Sequence, residues 1–115
     1  MSTVFKGLPG TIRIGWADYT VRLLPADEAH RAGLFGESLH GAQEITLADD
    51  QSGLRAANTV LHEIIHAVRR IGEMQEGDND ERETAVVANG LMQVWRDNPE
   101  FVAWFTRLVA ASGAR

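Results

Sequence analysis

His62, Glu63 and His66 form the run His62-Glu63-Ile64-Ile65-His66, two imidazoles four residues apart with a carboxylate beside the first. On a helix, residues four apart lie ~40° apart around the axis and ~6 Å along it, so both rings can address one ion while the acid stands next to them. Neutral imidazole nitrogen suits zinc and other borderline divalent ions, and a neighbouring carboxylate can take a proton from water that such an ion has acidified. From this composition the pattern is expected only roughly 0.01 times by chance, before any helical context is required. The competing reading is a pair of histidines at the edge of the core with a solvated acid between them.

A catalytic zinc site needs a third protein ligand. Elongated motifs that place a further histidine on the same stretch fail here, because Arg69 and Gly72 occupy those positions, and the chain has no cysteine. A carboxylate, His30 or His40 is left. Glu83, 17 residues after His66 at the start of a later helix, is the candidate. Val87, Leu91 and Val94 continue its stripe, and an inward carboxylate calls for a charged partner such as a metal ion. Glu81 is the rival, on roughly the opposite helix face, where it reads as a solvated acid favouring a helix N-terminus. His30 and His40 read as exposed or capping residues, and with Tyr19 they are candidates for steadying an oxyanion.

The elements that must position these groups follow from periodicity. Ile12, Ile14 and Trp16, then Tyr19, Val21 and Leu23, alternate at period two with a break near Ala17-Asp18, which predicts a hairpin over 11–24 ended by Pro25. Residues 26–31 form a polar stretch with room for a helical turn. Two short strands are expected over 33–40 and 43–48 around a Gly41-Ala42 turn, the second with Ile45 and Leu47 on one face and Glu44 and Thr46 on the other.

Leu54, Ala57, Leu61, Ile64, Ile65, Val68 and Ile71 follow the i, i+3, i+4, i+7 rule, so the His-Glu run falls in the middle of a helix capped by Asp50 or Ser52 and stopped by Gly72. An acidic loop over 72–80 leads to a helix over 81–97. Asn98-Pro99 then starts a last helix with Phe101, Trp104, Phe105 and Leu108 inward, Trp104 and Phe105 serving as packing. The fold class expected is α+β: a small antiparallel or mixed sheet packed on the HExxH helix and two further C-terminal helices.

The 115 residues suit one domain spanning 1–115, and 44% apolar with 23% charged residues is the balance of a globular chain. Without cysteine, disulfides, thiolate metal sites and cysteine nucleophiles are excluded. Eleven basic against 16 acidic residues, net −5 with Lys6 as the one lysine, argue against nucleic-acid binding. No apolar run reaches the ~20 residues of a membrane span, and the start MSTVFKGLPG lacks a secretory h-region, so a cytoplasmic location without membrane association is expected.

The strand-like QEITLADD, the helix segment LHEIIHAV and the later ERETAVVANGLMQV together resemble the small gluzincin-type metallopeptidases, and within them the ImmA/IrrE-type and related phage-encoded zincins. The resemblance covers residues 33–98. It implies a zincin-like domain in which His62, His66 and Glu83 hold Zn2+, Glu63 is the general base, and Val87, Ala88 and Leu91 back the third ligand. Asn89-Gly90 departs from the helix-favouring pair of that pattern, and there is no Leu-Met-Pro-like ending.

The activity implied is peptide-bond hydrolysis through a metal-bound water activated by Glu63, on a peptide or protein substrate. The strand over 43–48 is the expected edge for an extended substrate. Imidazole and carboxylate would also take manganese, cobalt or nickel. The alternative expectation is a zinc-binding regulatory or interaction module, inactive or active only when docked on a protein partner.

Overall fold

The computed structural model describes residues 4–33, 35–75, 77 and 79–113, with the backbone alone described at 32, 80, 112 and 113. Glu76 and Asp78 of the expected acidic loop, Leu34 of an expected strand, and both chain ends lie outside the described residues. Among the described residues the chain forms four strands and four helices, an α+β arrangement with a four-stranded mixed sheet.

Strands β1 (Thr11–Ile14) and β2 (Ala17–Leu24) make the expected hairpin, with Ile12 opposite Tyr19 and Ile14 opposite Ala17, all four buried. The turn falls at Gly15-Trp16, earlier than the break at Ala17-Asp18 suggests. Gly15 supplies a left-handed conformation at φ +61°, and Trp16 stands 70% exposed on the turn instead of in a strand. Beyond Val21 the alternation shifts phase. Leu24 is buried and Leu23 exposed, because Leu24 and its register partner Ala48 are covered by Ala29 of α1 (Ala26–Ala32), the helix that follows Pro25.

Strands β3 (Gly36–Leu39) and β4 (Glu44–Ala48) complete a sheet of order β1-β2-β4-β3, in which β2 and β4 are parallel and the other pairs antiparallel. The expectation that residues 43–48 offer a free edge is overturned, since β4 is hydrogen-bonded on both sides and β3 is the edge strand. Interior position also explains why Thr46 is buried along with Ile45, Leu47 and Ala48 instead of facing solvent.

Helix α2 (Gly53–Ile71) lies on the sheet through Ala56, Val60, Ile64, Ala67 and Val68. Ser52 is its N-cap, whereas Asp50 pairs with His30 at 2.9 Å. The helix ends in a Schellman motif whose left-handed residue is Glu73, at φ +56°, with Met74 N–H donating to Arg69 C=O and Glu73 N–H to Arg70 C=O. Gly72, the expected stop, has an ordinary φ of −79°. Its lack of a side chain serves packing instead, because a Cβ there would collide with Val86.

Helix α3 (Asp80–Asp97) is capped by Asn79, whose side chain accepts from Arg82 N–H at 2.8 Å. Gly90, unexpected in a helix, is where α3 crosses α2: a Cβ would occupy the place of the Val68 side chain. Helix α4 (Pro99–Gly113) buries Phe101 and Trp104, with Phe105 and Leu108 half-buried beside them. The N-terminal segment closes over α4, with Phe5 stacked on Trp104 at 6.1 Å and Trp104 Nε1 donating to Val4 C=O at 2.9 Å.

The outer edge of β1 is closed by side chains. Gln93 accepts from Gly15 N–H at 2.7 Å and donates to Arg13 C=O at 3.1 Å, while Asn98 accepts from Arg13 N–H and donates back to Arg13 C=O, each at 2.8 Å. Among the described residues no helix is long and apolar enough to cross a membrane.

Candidate metal and catalytic site

The helical setting read from periodicity holds, and it separates the three motif residues by depth. His62 and His66 lie on the exposed side of α2, whereas Glu63 turns toward the sheet and is 6% exposed. The two rings meet edge to face with centroids 4.7 Å apart and Nε2 atoms 3.1 Å apart. Two Zn–N bonds of ~2.0–2.1 Å meeting at a tetrahedral angle set their nitrogens about 3.3 Å apart. The pair therefore fits two adjacent ligands of one small ion, and the same spacing also suits a hydrogen bond between the rings.

A buried carboxylate needs a partner. Glu63 has one in Ser38 of β3, whose Oγ lies 2.8 Å from Glu63 Oε1 and 3.0 Å from the Glu63 carbonyl oxygen. This contact depends on how closely β3 runs along α2. At Gly36 a Cβ would lie 2.7 Å from Thr59 Cγ2 and 3.3 Å from Glu63 Cγ, so only glycine permits the approach. A buried polar network holds that end of the strand: Thr59 Oγ1 donates to Gln51 Oε1 at 2.6 Å, and Gln51 Nε2 donates to Ala48 and Phe35 C=O at 2.8 and 2.9 Å. Ser38, Gly36 and Gln51 were absent from the sequence-based set, since no local pattern marks a residue whose role comes from another element.

His40 follows β3 directly. Its Nδ1 is 3.2 Å from the hydroxyl of Tyr19, a side chain that is 1% exposed. Burial raises the Tyr19 pKa against the opposing pull of Arg70, so the phenol stays protonated at neutral pH, and Nδ1 is the acceptor available to it. His40 then carries its proton on Nε2. Its own pKa is lowered, first by burial, then by Arg70 and His66, with Glu63 acting in the other direction. It is a neutral imidazole within electrostatic reach of the motif. His30, by contrast, is engaged with Asp50.

Glu83 is half-buried on α3 and ion-paired with Arg69 of α2, one turn after His66. Glu81 is exposed, as its position on the opposite face implies. Among the described residues no group of three or more His, Asp or Glu side chains is gathered closely enough to hold a metal ion. The structure thus brings His62 and His66 together, sets Glu63 deeper against β3, and places Glu83 on the guanidinium of Arg69. Of the apolar residues expected behind Glu83, Leu91 packs against the core and Val87 is half-buried, while Ala88 is exposed.

No protein-family model, curated protein or solved structure matches this chain. Its chemistry has to be read from the site. The groups on this face are an imidazole pair at the spacing of two ligands, a buried carboxylate fixed by a serine, and a neutral histidine steadied by a buried tyrosine.

The edge strand leaves backbone groups turned away from the sheet. Ala48 N–H donates to Phe35 C=O, and in the antiparallel register that bond makes Glu37 and Leu39 the residues turned to β4. The backbone N–H and C=O groups of Gly36 and Ser38 consequently point away from the sheet, along the side where α2 carries Glu63.

Proposed function

We propose that this chain is a metal-dependent peptidase of the small gluzincin type, with a zincin-like arrangement of edge strand and HExxH helix and the ImmA/IrrE-type enzymes as the family it resembles. The observation that carries the reading is the Nε2 spacing of His62 and His66 beside a buried, serine-held Glu63. His62 and His66 would hold zinc or a similar divalent ion, which supplies the Lewis acidity that makes water nucleophilic near neutral pH. Glu63 takes a proton from the attacking water and returns it to the departing amine. Ser38 keeps the carboxylate in one orientation through both transfers. An extended substrate lies along the outer edge of β3, hydrogen-bonded to Gly36 and Ser38. Glu83 would be the third ligand, which requires it to leave Arg69.

The second reading, a zinc-binding interaction module that is inactive alone or activated by a protein partner, is favoured by the engagement of Glu83 with Arg69. Metal content and casein hydrolysis separate the two. About one zinc per chain is expected in wild type, Glu81→Ala and Glu63→Gln, with loss in His66→Ala and Glu83→Ala. Casein should be cut by wild type and spared by Glu63→Gln. No zinc in wild type after add-back overturns both readings. Zinc without hydrolysis leaves the interaction module, and hydrolysis by Glu63→Gln rejects the role of that residue.

A further inference from the structure

The site face of α2 is bracketed by two arginines. Arg55 precedes His62 by seven residues and Arg70 follows His66 by four, so the row Arg55, His62, His66, Arg70 stays on one side of the helix. Strand β3 runs beside that row in the same sense. Phe35 lies under the Arg55 guanidinium at 4.6 Å, Gly36 meets Thr59, Ser38 meets Glu63, and His40 feels the charges of His66 and Arg70.

A cavity opens at each end. One, of about 330 Å³, is lined by Phe35, Gly36, Arg55, Thr59, His62 and Glu63. The other, of about 500 Å³, is lined by Trp16, Tyr19, His40, Gln43, Arg70 and Glu73, among others.

Neither Arg55 nor Arg70 has a carboxylate partner among the described residues, although acids outnumber bases in the chain and Arg13, Arg22, Arg69 and Arg96 each have one. The Arg55 guanidinium carbon sits over the Phe35 ring, and its N–H groups can pair with a carboxylate. Glu73 lines the Arg70 cavity without forming an ion pair with it. With a net charge of −5 the chain as a whole repels polyanions, so two isolated cations suit single acidic side chains better than a continuous phosphate backbone.

We propose that the outer edge of β3, beside the site face of α2, takes an extended peptide bearing one acidic side chain on each flank of the Glu63 region, one at Arg55 and one at Arg70. The inference rests on the peptide-binding part of the proposed function. Fifteen residues separate the arginines. At ~1.5 Å per helical residue this is about 22 Å, or six to seven residues of extended peptide at ~3.3 Å each.

The test uses two fluorescein-labelled dodecapeptides with a neutral centre, identical except that glutamates about six residues apart in one are lysines in the other. Fluorescence anisotropy against the zinc-supplemented full chain carrying Glu63→Gln reads binding without turnover. The glutamate peptide should bind about tenfold more tightly than the lysine peptide, and Arg55→Glu or Arg70→Glu should each weaken it about two- to fivefold while strengthening the lysine peptide. High salt should flatten the preference. Both variants lie at exposed positions, so circular dichroism should be unchanged.

If this charge dependence is found while the wild-type chain leaves both peptides uncut, the docking proposal stands and the hydrolytic reading fails. Equal affinity for the two peptides, no binding of either, or a preference that survives both arginine substitutions overturns the proposal.

Discussion

Ser38 holds the candidate base Glu63 from the neighbouring strand, and its loss tests positioning apart from metal content. With Ser38→Ala, Glu63 keeps its place in α2 but its carboxylate is released to other rotamers. Zinc content should stay at the wild-type level while kcat for a peptide falls about ten- to hundredfold. Unchanged kcat would mean that α2 alone orients the acid. His40 makes a second claim at this scale. In the unfolded chain it titrates near ~6.5, and folding lowers that value through burial and the neighbouring cations. As pH falls through that range the unfolded state binds the proton first, so the fold loses stability on acidification. His40→Gln, which can still accept from Tyr19, should lose less melting temperature between pH 7.5 and 5.5 than wild type does. Parallel melting curves for the two proteins would show that His40 takes no part.

The elements were legible where their periodicity is long and misread where other elements decide. Helix α2 shows in the sequence because its apolar spacing persists over five turns, and that alone puts the two imidazoles on one face. Its ending does not. The natural reading makes Gly72 the left-handed stop, whereas Glu73 takes that conformation and Gly72 yields space to Val86. A non-glycine residue in the left-handed region costs about 1 kcal/mol. Glu73→Gly should accordingly raise stability by about 1 kcal/mol in urea unfolding, and a loss of stability would show that the Glu73 side chain has contacts that outweigh the backbone strain. Asn89-Gly90, a departure from helix propensity when read locally, is explained by the α2–α3 crossing at Val68.

Over the whole molecule, the two edges of the sheet are treated differently. The β1 edge is sealed by Gln93 and Asn98, and the β3 edge is left beside the motif helix. Asn98 is the stronger seal, because it is buried and also donates to Val94 C=O at 2.9 Å, joining residues 85 apart in the chain. Asn98→Ala leaves the Arg13 groups without these bonds and should cost about 2–3 kcal/mol in denaturant unfolding. A cost under about 0.5 kcal/mol would show that water replaces the side chain there.

The histidine pair, the acid beside it, the helix that carries them and the α+β class were all readable from the chain, because each depends on residue type and on spacing within one element. Which strand is the edge, which serine holds Glu63, where Glu83 rests and which arginines lack a carboxylate came from the packing of the elements. These depend on the register between strands and on the close approaches at Gly36 and Gly90. Such contacts join residues far apart in the chain, and no local pattern encodes them.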